Sequence, residues 1–133
     1  MDPAAALADL IEISSQVDAA VVLDPEGSVL ASTVEDAARS ERLGRAGSAL
    51  LAAGDESAAT GDRTLTQLEV ALREGSVFVV REEGRTIVAT TSPEPTSGLV
   101  FYDLKTSLHA LAQGAEEAPA KPKRRTKKAD AGA

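Results

Sequence analysis

Residues 19–32 read Ala-Ala-Val-Val-Leu-Asp-Pro-Glu-Gly-Ser-Val-Leu-Ala-Ser, two short β-rich runs joined by Asp24-Pro25-Glu26-Gly27. Pro25 pre-sets a turn φ and Gly27 supplies a position for positive φ, so the chain reverses between Leu23 and Ser28 and the two strands pair antiparallel. An amphipathic helical pattern precedes this hairpin and a second one follows it. Few small folds share that order.

The first helix opens at Asp2-Pro3, an N-cap followed by proline at the first helical position, where a missing N–H costs nothing. At 3.6-residue spacing Leu7, Leu10, Ile11 and Ser14 fall on one face, with Asp9 and Glu12 turned away. Thr33-Val34-Glu35-Asp36 resembles a capping box with Asp in the place of Glu or Gln, and the helical pattern behind it runs to Gly54, a natural stop. Leu43, Gly47, Leu50 and Leu51 line one stripe of this second helix, and Ala37, Gly44 and Ser48 a narrower one beside it. Glycine inside a helix costs about 1 kcal/mol relative to alanine, so Gly44 and Gly47 call for a compensating close approach. The helix's own sheet would provide one, and a second helix lying against the stripe would provide another.

Residues 55–64 are polar and read as a loop. Three strands follow as a meander. Gln67 to Arg73 alternates, with Leu68, Val70 and Leu72 on one face; Val77 to Arg81 is nearly continuous apolar, as in a strand covered on both sides; Arg85 to Thr91 is β-branched. Glu74-Gly75 and Glu82-Glu83-Gly84 make the turns. Ser92-Pro93-Glu94-Pro95 links to a last helix beginning near Ser97, on which Val100, Phe101, Leu104, Leu108 and Leu111 share one arc. His109, the only histidine, falls outside that arc and is expected to face solvent.

With 133 residues and three aromatic side chains, the chain is sized for one aliphatic core, placed here in residues 1–113. Residues 114–133 carry no apolar periodicity and read as a disordered tail. The overall charge of −7 hides a division between the two parts. Residues 1–113 hold eight basic against eighteen acidic side chains, a balance of −10, whereas Lys121, Lys123, Arg124, Arg125, Lys127 and Lys128 put six positive charges and no negative one into residues 121–128. That run is read as a solubilising appendage, as a weak, salt-sensitive contact to nucleic acid, or as an attachment to an anionic lipid or protein surface.

Cysteine is absent, which excludes disulfides and thiolate metal sites and points to a cytoplasmic setting. No stretch approaches the length of a membrane helix, and no basic residue precedes Arg39, so the charged start of a signal peptide is missing. A single histidine supplies neither a metal cluster nor a nucleophilic triad, and no phosphate-cradling glycine motif occurs. The acids Asp24, Glu26, Glu82 and Glu83 sit at turn tips, where solvation explains them. No catalytic, cofactor-binding or metal-ligating residue is therefore assigned, and the chain is not expected to be an enzyme.

The order helix, two strands, helix, three strands, helix resembles the Roadblock/dynein light-chain domain family, including its bacterial MglB-type members, over residues 4–113. The resemblance is carried by Ala-Val-Val-Leu-Asp-Pro-Glu-Gly-Ser-Val-Leu-Ala-Ser at residues 20–32 and by Ser-Gly-Leu-Val-Phe-Tyr-Asp-Leu at residues 97–104. The proline pair at Pro93 and Pro95 and the basic extension depart from the family pattern. The resemblance implies an α+β fold of profilin/longin-like Roadblock type, a five-stranded antiparallel sheet with helices on both faces. It also implies that two copies associate through the second helix and third strand, which here carry Ala37, Leu43, Gly44, Gly47, Ser48, Leu50, Leu51, Leu68, Val70 and Leu72. A homodimer of this kind is implied to be a scaffold or regulator of a Ras-like small GTPase, without inserting a catalytic side chain. Arg39, Arg42 and Arg45 on the second helix suit an acidic partner, and the pairs Glu35–Arg39 and Glu41–Arg45 explain them equally well. The alternative is a dimeric platform whose basic tail tethers it to nucleic acid or an anionic surface.

Overall fold

The computed structural model describes residues 2–57 and 65–120, with side chains of the last helix described as far as Leu111. Helix α1 spans Pro3–Ile13 and is capped as expected, the Asp2 carboxylate accepting a 2.8 Å hydrogen bond from the Ala5 amide. Its buried side chains are Ala6, Leu7 and Leu10, followed by Ser14. Ile11, expected on that face, is 39% exposed. Burial on α1 follows Ala6, Leu7 and Leu10, so Ile11 lies at the margin of the buried stripe rather than within it.

Strands β1 (Val17–Leu23) and β2 (Val29–Ser32) form the expected antiparallel hairpin. Asp24 builds its turn: one carboxylate oxygen accepts from the amides of Glu26 and Ser28, both at 2.9 Å, while Gly27 takes φ 88°. Asp24 thus serves its own backbone, a role beyond the solvation expected of a turn-tip acid.

Helix α2 runs Ala37–Ser57. Thr33 does not cap it; its hydroxyl accepts from the Ala20 amide at 2.9 Å, extending the hairpin. Asp36 is the cap, accepting from the amides of Ala38 and Arg39 at 2.9 and 3.3 Å. Just ahead of it, Ser32 and Ser40 bond hydroxyl to hydroxyl at 2.7 Å and Ser40 donates to the Val34 carbonyl, fastening the helix start to β2. Gly54 does not stop the helix. A Cβ there would collide with Leu65, so its role is to let the returning chain pass.

Strands β3 (Gln67–Ala71), β4 (Ser76–Glu82) and β5 (Arg85–Thr91) make the expected meander, and the sheet order is β2-β1-β5-β4-β3, antiparallel throughout. β3 ends before Leu72 and Arg73, which the reciprocal backbone bonds of Leu72 with Gly75 draw into the turn. Phe78, Val79 and Val80 are all fully buried, confirming a strand covered on both faces.

Helix α3 (Ser97–Ala120) packs with α1 on one face of the sheet, and α2 lies on the other. The first core joins Leu7 and Leu10 to Phe78, Ile87, Val100, Leu104, Leu108 and Leu111, with Phe101 meeting Phe78 edge to face at 5.0 Å. The second joins Leu51 of α2 to Val21, Leu23, Val79 and Val88. Asp103 and Ser107 are also buried, which the apolar arc did not indicate; the Ser107 hydroxyl reaches the Ala6 carbonyl of α1. His109 faces solvent as expected and stands 2.7 Å from Glu82. The backbone of α3 continues to Ala120, past the boundary drawn after residue 113. The basic run, Lys121 to Lys128, and residues 58–64, expected to be part of a loop, lie outside the described residues.

Candidate interaction surface

The ten residues singled out on α2 and β3 divide into three groups. Gly44, Gly47 and Leu51 are buried, and Ala37 and Leu72 are exposed. Leu43, Ser48, Leu50, Leu68 and Val70 are half-buried. The glycines face inward: a Cβ on Gly44 would stand 2.9 Å from Leu23 Cδ2, and one on Gly47 would collide with the Val88 isopropyl group. The close approach that compensates them is therefore to their own sheet, not across a two-fold axis.

The outward face of α2 joins two of the arginines already noted to alanines that the pattern reading left aside. Arg42, Arg45, Ala46, Ala49 and Ala53 are all exposed, and at helical spacing they make a row of small side chains flanked by guanidinium groups. The sequence signal was available, since alanines recur there as regularly as leucines and glycines do opposite. The anticipated pairs Glu35–Arg39 and Glu41–Arg45 do not close. Among the described residues the arginine or lysine to carboxylate pair within 4.0 Å is Arg81–Asp55, and the His109 ring nitrogen stands beside Glu82.

Between α2 and the β3 edge the second core is left open to solvent. Leu43, Leu50, Leu65, Leu68 and Val77 pack against its buried members yet remain partly accessible, and Val70, paired with Val77, continues the same strip. The two sheet margins differ in regularity. β2 carries a bulge: Val22 pairs with Ala31 and Leu23 with Val29, which leaves Leu30 unpaired. β3 keeps an unbroken register from Gln67 opposite Val80 to Ala71 opposite Ser76. A bulged, short margin resists further pairing, and a regular one offers its free backbone groups.

A cleft of about 270 Å³ lies between the C-terminal half of α2 and the two hairpin turns, lined by Leu23, Asp24, Ser48, Asp55, Arg81 and Thr86 among others. Arg81 spans it structurally, donating to Asp55 at 2.8 Å and to the Leu65 carbonyl at 2.6 Å. The Arg81 hydrogen bond holds the Asp55 carboxyl below its ordinary range, with the Leu65 amide helping and burial opposing. These groups tie the end of α2 to the strand after it. Among the described residues no set of acids and histidine gathers with metal-ligating geometry, and no helix is long and apolar enough to cross a membrane.

A family model described as the Roadblock/LC7 domain matches residues 4–92. Among solved structures, a Roadblock/LC7 domain from Streptomyces avermitilis is similar at 18% identity and a TM-score of 0.77, covering 87% of this chain and 99% of that one. MglB of Myxococcus xanthus is similar at 15% identity and a TM-score of 0.72, over 86% and 95% of the two chains. Profilin IB of Acanthamoeba castellanii follows at 15% identity and a TM-score of 0.50, over 75% and 89%. The fold is thus the profilin-like α+β arrangement expected. A search of curated proteins returns no match.

Proposed function

Since the chain belongs to the Roadblock/LC7 family, we propose that it is a cytoplasmic, non-enzymatic homodimeric module that binds and regulates a Ras-like small GTPase. The observation that carries the dimer is the unfinished second core. Leu43, Leu50, Leu68 and Val70 line a half-buried apolar strip beside a regular, unpaired strand margin. A second copy joined across β3 satisfies that margin's backbone and covers the strip in one step, with the alanine row of α2 allowing the two α2 helices to approach closely.

The composite surface supports the GTPase reading. Arg39, Arg42 and Arg45 stand exposed on α2, with no intramolecular ion pair among the described residues, and offer guanidinium groups to an acidic partner. No catalytic residue is assigned to this chain; regulation would act by favouring one arrangement of the GTPase's own catalytic groups.

Two measurements test the reading. Sedimentation equilibrium should show a dimer that Leu50→Glu converts to a folded monomer, its folding checked by circular dichroism; a wild-type chain that stays monomeric at high micromolar concentration would overturn the dimer. Pull-down from native lysate should retain a small GTPase whose hydrolysis rate or nucleotide occupancy changes on binding. Failure to retain any such protein would overturn the regulatory role.

A further inference from the structure

What the β3 margin offers is fixed by its bonds to β4. Leu72 and Gly75 exchange backbone hydrogen bonds at 2.7 and 3.4 Å, and the Thr66 carbonyl accepts from the Arg81 amide at 2.8 Å. Opposite residues of an antiparallel ladder alternate between bonded and unbonded pairs. With Leu68 opposite Val79 and Val70 opposite Val77, the even-numbered residues of β3 direct their backbone groups to β4, and Gln67, Glu69 and Ala71 turn theirs outward. Among the described residues no strand takes them. Side chains alternate as well. Leu68 and Val77 pack on the core beneath α2, so Leu68, Val70 and Leu72 form one apolar row on that face, and Gln67, Glu69, Ala71 and Arg73 form a row on the other. Leu72, 54% exposed, is the least covered of the apolar row.

We propose that two copies pair through β3 about a two-fold axis at Val70. The proposal rests on the dimer reading above and adds its register. Outward groups must meet outward groups, which allows the axis at any of residues 67–71. At Glu69 it sets two carboxylates directly opposite, a destabilising pair. At Gln67 or Leu68 it leaves Leu72 beyond the partner's strand, and at Ala71 it places Leu68 opposite the partner's Glu74 in the turn. At Val70 the apolar row reads the same from either end, as a contact between identical surfaces requires. Val70 then faces the partner's Val70, and Leu68 covers the partner's Leu72. On the other face Glu69 lies opposite the partner's Ala71 and diagonal to the partner's Arg73, within reach of long side chains. Arg73 makes no ion pair among the described residues, which leaves its guanidinium available for that contact.

The chain has no cysteine, so single cysteines report the register directly. Val70 and the partner's Val70 form an unbonded pair with Cα atoms about 4.5 Å apart, a span that a disulfide bridges. Two Glu69 or two Leu68 positions are out of step by at least two residues, past the limit of about 7 Å. Under mild oxidation of the full chain, Val70→Cys should give a covalent dimer on a non-reducing gel, and Leu68→Cys or Glu69→Cys alone should not. Leu68→Cys mixed with Leu72→Cys should crosslink. Glu69→Arg should raise the dimer dissociation constant several-fold, and Arg73→Glu in the same chain should restore it. Closure through Leu68→Cys or Glu69→Cys alone, or a charge swap that weakens additively, would overturn the register and leave the dimer standing. A dimer by sedimentation in which no cysteine closes would overturn strand pairing, whereas a monomeric wild type would overturn the underlying reading as well.

Discussion

At Gly47 there is room for a hydrogen atom and nothing larger, because the fully buried Val88 fills the space a methyl group would take. Alanine in a helix regains about 1 kcal/mol over glycine, but forcing a methyl into a packed core costs about 1–3 kcal/mol. Gly47→Ala should therefore lower stability by about 1 kcal/mol in urea unfolding. Combining it with Val88→Ala should recover part of the loss, a coupling of at least about 0.5 kcal/mol in a double-mutant cycle. Additive losses would show that the contact is unimportant. Asp55 sets a pH dependence of known sign. Its native carboxyl titrates below the ordinary aspartate range, so the stabilisation it gives is complete above that range and is lost as pH falls through the lower native value. Asp55→Asn should lower the urea midpoint at neutral pH, and the gap from wild type should narrow as the solution is acidified below that range.

The elements show why some of the fold was legible and some was not. The first hairpin and the meander were readable because turn chemistry and two-residue alternation act locally: Asp24, Gly27 and Gly84 specify their turns whatever packs above them. The start of α2 was misplaced because Thr33 and Asp36 can each cap a helix in isolation, and only the pairing of β2 with β1 engages the Thr33 hydroxyl elsewhere. Asp36→Ala should accordingly cost about 1 kcal/mol, with Thr33→Val leaving the helix start in place by amide hydrogen exchange. The candidate surface was half legible for a related reason. Periodicity finds the row containing Gly44 and Gly47, but it does not say whether that row meets the parent sheet or another molecule. In the β4–β5 turn, Glu83 holds φ 53° beside Gly84 at 82°. Glu83→Asn gives this geometry a better-suited residue and should raise the melting temperature by a few degrees, worth about 0.5 kcal/mol.

Across the whole molecule, stability and assembly become one quantity if β3 and α2 complete their core with a second copy. The melting temperature should then rise with protein concentration, and Leu50→Glu should abolish that dependence. A concentration-independent wild type would separate the two. The bulge at Leu30 bears on what is assembled rather than on how tightly. A sheet open at both margins adds subunits without end, growing into a fibre whose length depends on supply. With one margin closed to pairing, addition stops after a single step. The complex then has a fixed stoichiometry, so its dose can be set by how much chain is made.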